Sequence, residues 1–248
     1  MRHDQSIRVL GPIDVITPAG VVSVGGSQPR ALLGALAMAA GRAVPAEHLR
    51  AILWGDHAPR SADNTVQSYI SDLRHVLGAD AIERIDHAYE LDLDTTDIDA
   101  LQFERLLRDA TTARDDPDTR WQLCHDALAL WRGRPFGDLA DNEWFQLEAH
   151  RLDELRLTAN ELSMEADLAL GRHELIVGEL ECAVDEHPYR ERLWYLLITA
   201  LAHSDRRVEA LRTCARLRDV LNDVGIDISD DCTTLEHQIL QGHTTTTI

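Results

Sequence analysis

The sequence predicts a mostly α chain with a small β part confined to its N-terminal portion. Three observations carry this. Strand and turn signals stop near residue 97, and apolar residues beyond it recur at helical spacing between short, breaker-bearing connections. One amphipathic helix with a polar outer face lies between a preceding helix and a following hairpin. The length of 248 residues allows one large domain or two small ones, and 44% apolar with 27% charged residues is ordinary for a globular chain with a real core.

Taken in order, Ile7 to Leu10, Ile13 to Thr17 and Val21 to Val24 are apolar or alternating, with Gly11-Pro12 and Pro18-Ala19-Gly20 as turns between them. They predict a small antiparallel meander. From Gln28 to Ala40 the apolar residues run almost all round, as in a buried helix closed by Gly41. Pro45 suits the first turn of a second helix, which carries Leu49, Ile52, Leu53 and Trp54 and stops at Gly55. A third helix over 62–77 places Val66, Ile70, Leu73 and Leu77 on one stripe and ends at Gly78. Its other face shows Asn64, Gln67, Ser68, Ser71, Asp72, Arg74 and His75. Two short strands follow, Ala81 to Ile85 and Tyr89 to Asp94, joined through Asp86-His87-Ala88. Two helices with a turn, the second amphipathic, then a hairpin: this is the order of a winged helix-turn-helix.

Helical segments then follow at roughly 98–113, 119–132, 142–170, 173–186, 189–203, 206–222 and 231–241. A shift of 34 residues aligns Ala166 with Ala200, Arg172 with Arg206, Val177 with Leu211 and Leu180 with Cys214. That is the tetratricopeptide period, one helix pair per repeat. The expected organisation is a winged helix over 1–97, an all-α tetratricopeptide-like domain over 98–242 and a flexible tail over 243–248. Trp121, Trp131, Trp144 and Trp194 sit among leucines and are expected to pack between helices.

Charge sets the main constraint on function. The basic residues number 24, all arginine, against 43 acidic ones, a formal net charge of −19. Such a chain as a whole repels polyanions, so a DNA reader needs a locally neutral or basic patch. Residues 1–97 hold 8 Arg against 13 Asp and Glu, a net −5, and residues 98–248 hold 16 against 30, a net −14. The acidic helical half favours basic protein surfaces and keeps itself off DNA.

Other classes find little support. Cys124, Cys182, Cys214 and Cys232 are scattered, so neither a disulfide framework nor a cysteine zinc site is indicated. Cys182/His187 and Cys232/His237 lie five residues apart, about 140° round a helix and off any common face. No phosphate-binding glycine loop, nucleophile elbow or zincin helix occurs, so no catalytic residue, metal ligand or cofactor is expected. No run approaches the roughly 18 apolar residues of a membrane span, and residues 1–25 carry no signal-peptide core. The reading is a cytoplasmic protein.

An ordered set of segments resembles the Streptomyces antibiotic regulatory protein family. In the first half they are Val9-Leu10-Gly11-Pro12, Gly25 to Leu33, Leu53-Trp54-Gly55, Asn64 to Arg74 and Tyr89-Glu90-Leu91. In the second half, Ala129 to Gly133, Arg151 to Leu157, Leu168 to Glu174, His187 to Trp194, Glu209-Ala210-Leu211 and Gly225-Ile226-Asp227 resemble its bacterial transcriptional activation domain. The resemblance spans about residues 7–241 and implies an OmpR-type winged helix joined to that domain. It also implies a transcriptional activator of a biosynthetic gene cluster, binding direct repeats that overlap the promoter's −35 region. RNA polymerase, including its sigma factor, is the implied protein partner, with dimerisation through the helical domain.

By the same resemblance Gln67, Ser68, Ser71 and Asp72 face base edges in the major groove. Asn64, Thr65 and Arg74 lie against phosphates, with Arg30, Arg60 and Arg84 as further cations and the hairpin from Arg84 to His87 as the wing. Gln reads adenine, Ser serves any base and Asp accepts from the cytosine amino group. The sequence departs from the family where charge matters: Asp63, Asp72 and His75 stand at positions usually basic, and Ala88 at the usual wing glycine. Those departures leave open a protein-interaction adaptor or antagonist that keeps the fold with weak DNA binding. A small-molecule-responsive regulator is a third reading, for which no residue cluster names a ligand. Tyr69 is expected either to stack on the DNA backbone or to fill a domain interface.

Overall fold

The structure is a computed structural model and describes residues 5–39 and 41–242. The tail expected over 243–248 lies outside the described residues. Close packing divides the chain into two units, Met1–Arg108 with Asp126–Leu157, and Asp109–His125 with Thr158–Ile248.

In the first unit, strands β1 (Ser6–Arg8), β2 (Asp14–Thr17) and β3 (Gly20–Val22) form the expected antiparallel meander, with Ile7 opposite Val15 and Val15 opposite Val22. Helix α1 (Ser27–Ala39) buries every residue from Ala31 to Ala37, as its all-round apolar text requires. After it come β4 (Val44–Pro45), α2 (Ala46–Trp54) and α3 (Ala62–Leu77), then β5 (Ile82–Ile85) and β6 (Ala88–Leu91). Pro45 is corrected here: it belongs to β4 and precedes α2, in extended geometry, instead of occupying the helix's first turn. Having no N–H, it suits the end of a two-residue edge strand. Strand β4 pairs with β6, giving a second sheet of order β4-β6-β5.

Helix α4 (Asp99–Thr112), α5 (Pro117–Leu128) and α6 (Glu143–Ala169) follow. The change of text at 97/98 is not a break in packing. Residues 126–157 pack as one unit with the winged helix, and specific contacts show why. The backbone N–H of Arg132 donates to Leu10 (2.8 Å) and that of Phe136 to Val9 (2.8 Å). The Asp99 carboxylate accepts from the N–H groups of Val9 (2.7 Å) and Leu10 (3.1 Å). Phe136 and Phe145 are fully buried, with ring centroids 4.8 Å apart. A Cβ on Gly34 would lie 2.8 Å from Ile13 and 3.0 Å from Phe145, so only glycine lets α1 approach this closely.

The second unit continues with α7 (His173–Glu186), α8 (Glu191–His203), α9 (Arg207–Asn222) and α10 (Asp230–Gln241). Successive helices pack on one another as tetratricopeptide-like pairs do. Trp194 is buried, and its indole N–H donates to the Pro188 carbonyl (2.9 Å). Trp121 stacks on His125. Arg190, the residue before α8, and Arg192 in its first turn pair inside this unit, with Glu161 (2.8 Å) and Glu165 (2.9 Å). Among the described residues no helix is long and apolar enough to cross a membrane.

Candidate nucleic-acid interface

Helix α3 fixes the geometry of the site. Ala62, Val66, Ile70, Leu73 and Leu77 are buried, and their spacings of 4, 4, 3 and 4 make one anchored stripe. Gly78 stops the helix at φ 98°, ψ 150°, a conformation open essentially to glycine alone. With that stripe inward, Asn64, Gln67, Ser68, Ser71, Asp72 and His75 are exposed along the outer face. Among the described residues the side chains of Asn64, Gln67, Ser68, Ser71 and Asp72 make no hydrogen bond, so their donors and acceptors are free for a partner. Thr65 is half-buried, and its hydroxyl donates to the Ser61 carbonyl one turn earlier (3.1 Å).

An open groove of about 440 Å3 runs beside this face, lined by the start of α2, by α3 and by the hairpin; Glu47, Arg50, Asp63, Gln67, Arg84 and His87 border it. The hairpin turns tightly, with Ile85 opposite Ala88 and Asp86 at φ 52°. Asp is among the few non-glycine residues that tolerate this region. Asp86 supplies the positive-φ position of this turn. The His87 carbonyl accepts from the Ala46 N–H (2.9 Å), tying the wing to the start of α2.

The arginines divide into engaged and free. Arg74 donates from Nε (2.9 Å) and Nη2 (2.6 Å) to the Ile82 carbonyl, so it clamps α3 to β5. Arg30 forms a two-point pair with Asp138 (2.7 and 2.8 Å), which holds that carboxyl below its ordinary range. Arg50 pairs with Asp63 (2.9 Å), cancelling one acid of the face. Arg84 is exposed and, among the described residues, makes only a 3.3 Å contact to the Asp86 carbonyl. Arg60 is exposed in the turn before α3 and makes no hydrogen bond or ion pair among the described residues. The structure therefore brings Asn64, Gln67, Ser68, Ser71 and Asp72 together on one face, with Arg84 across the groove. It commits Arg30 and Arg74 to intramolecular partners.

This element order and exposed helix agree with the comparisons. A family model described as "Transcriptional regulatory protein, C terminal" matches residues 25–88, and one described as "Bacterial transcriptional activator domain" matches residues 98–240. Regulatory protein DnrI of Streptomyces peucetius is 35% identical over 95% of this chain and 92% of its own length. The chain belongs to the Streptomyces antibiotic regulatory protein family. Regulatory protein AfsR of Streptomyces griseus is 34% identical over 94% of this chain, which spans only 24% of that larger protein. The solved structure of Mycobacterium tuberculosis EmbR, in complex with a low-affinity phosphopeptide, superposes with a TM-score of 0.89 at 30% identity, covering 97% of this chain and 66% of that one.

Members of this family are transcriptional regulators that bind DNA, and the winged helix is the part of this chain built for it. Two features of the site escape sequence reasoning. Arg50 lines the groove, yet no periodicity distinguishes it from other surface residues. Tyr69 is half-buried, and its hydroxyl donates to the Gln28 side chain on α1 (2.7 Å), a contact with no signal in the sequence.

Proposed function

We propose that this protein is a sequence-specific DNA-binding transcriptional activator of a secondary-metabolite gene cluster. In this reading α3 enters the major groove of direct repeats near the promoter −35 region, with Gln67, Ser68, Ser71 and Asp72 on base edges. Asn64, Thr65, Arg60 and Arg84 approach phosphates, and Arg30 and Arg74 serve chiefly as structural clamps. The helical domain contacts RNA polymerase, including its sigma factor, and supports a homodimer in the cytoplasm. The observation that carries the reading is the exposed row of unpartnered hydrogen-bonding side chains on α3, held outward by its buried stripe.

The physics of such binding follows from charge. Each phosphate neutralised contributes a salt slope of about −0.9. With Arg60 and Arg84 as the least engaged cations near the face, the protein grips weakly as a monomer. Two protomers on adjacent repeats, or polymerase beside one, raise the effective affinity. DNase I footprinting on the promoter flanking its own gene, at low salt and with or without polymerase, tests the proposal. Protection of two repeats one helical turn apart or a multiple of it is expected. No protection in either condition overturns it in favour of the adaptor reading.

A further inference from the structure

On the reader face, histidine stands where a fixed cation would be expected. There is no lysine in the chain, Arg30, Arg50 and Arg74 are held by Asp138, Asp63 and the Ile82 carbonyl, and the 1–97 region is net acidic. Two exposed histidines flank the DNA-facing surface: His75 in the row formed by Asn64, Gln67, Ser68, Ser71 and Asp72, and His87 at the tip of the wing. Histidine changes charge between about pH 5 and 8, unlike arginine.

The geometry at His75 decides what its ring can offer. Its Nδ1 lies 2.8 Å from the Ser71 carbonyl oxygen, one turn back on α3. A carbonyl only accepts, so Nδ1 carries a hydrogen and Nε2 is the atom left to face a partner. In the neutral ring Nε2 has a lone pair, which opposes a phosphate oxygen or guanine N7. In the protonated ring it has a hydrogen, which donates to either. The phosphate's own charge favours the protonated ring, so DNA binding and proton uptake are coupled. Asp72 and Arg74 precede His75 on α3 and Asp80 follows in the turn after the helix; among the described residues His75 makes no ion pair. His87 shares the groove with Glu47 and Arg50 from α2, Asp63 from α3, and Arg84 and Tyr89 from the hairpin, beside Asp86.

We infer that His75 and His87 are DNA-binding residues that engage phosphate or guanine in their protonated forms, so that promoter binding takes up protons and tightens as pH falls. The inference rests on the proposed DNA-reading role of α3. Fluorescence-anisotropy titration of the full chain on promoter DNA flanking its own gene, at constant ionic strength from about pH 5.5 to about 8.5, reads it directly. Affinity is expected to fall with rising pH, approaching about tenfold per pH unit for each proton taken up. The His75→Gln/His87→Gln protein is expected to bind more weakly than wild type at the acid end of the range, with a flattened profile. The His75→Arg/His87→Arg protein is expected to bind tightly throughout. Urea midpoints across the same range confirm that each variant is folded. A flat wild-type profile, or a wild-type slope retained in the Gln variant, overturns this inference alone. Absence of binding at every pH, in wild type and the Arg variant alike, overturns the DNA-reading role together with it.

Discussion

Asp99 is the most consequential single carboxylate outside the reader face. It is 7% exposed, accepts two backbone N–H groups from the β1–β2 segment and lies 3.7 Å from Arg132. Burial pushes it up to about 6, against the lowering effect of those donors and of Arg132. Between its ordinary value of 3.8 and that value, the folded chain binds more protons than the unfolded one. Asp99 therefore contributes stability that is greatest at low pH and is lost as pH rises through about 6, by at most about 3 kcal/mol. Comparing urea unfolding of wild type with Asp99→Asn isolates this term: the difference between them should change over that interval and be level above pH 7. The role of Asp99 was not legible in sequence, because its partners are main-chain groups 89 and 90 residues away. Arg74 shows the same limit. Its residue type and position on α3 suggested a phosphate contact, while its guanidinium closes on a carbonyl of β5.

At the scale of elements, local signals with a clear period were readable and pairings with none were not. Helix α3 runs over 62–77 as its apolar stripe and Gly78 predict, and α7 over 173–186 likewise. Strand β4 has two residues and exists only through its pairing with Tyr89 and Ala88 of β6, so nothing within it announces a strand. Arg74 apart, the outer face of α3 was legible, since burying the spaced apolar residues leaves the others outside. Which arginines remained free on that face was not legible. Gly78→Ala puts the element-level account to the test. A Cβ there meets no atom within 4 Å, so its effect is backbone strain at φ 98°, expected to cost about 1–3 kcal/mol. Equilibrium urea unfolding measures that loss. The same denaturation of Gly41→Ala, also in open space but at φ 67°, should show a smaller one of about 1–2 kcal/mol.

Across the whole molecule, the domain text and the packing units differ, and the difference has a consequence. The family models divide the chain before residue 98, yet Phe136, Phe145 and Arg132 complete the unit that contains the winged helix. A fragment of residues 1–97 loses the ring that covers Gly34 and the donors to Val9 and Leu10. It should expose apolar surface on α1 and the meander and unfold at lower urea than the full chain. A fragment ending at residue 157, which retains Asp126–Leu157, should recover most of that loss in circular-dichroism melts. Net charge belongs to this scale too. Of the total −19, −14 lies in residues 98–248, so acidity governs what the helical part avoids more than what the reader can hold.

The central claim is that the exposed face of α3 reads base sequence. Competition binding, with promoter DNA against a scrambled duplex of equal length, measures it for wild type and for Gln67→Ala/Ser71→Ala. Neither side chain has an intramolecular partner among the described residues, so the double variant should keep the wild-type urea midpoint. It is predicted to lose about 1–3 kcal/mol of discrimination, roughly 5- to 150-fold in the affinity ratio, with little change in binding to the scrambled duplex. An unchanged ratio in the folded variant contradicts the claim.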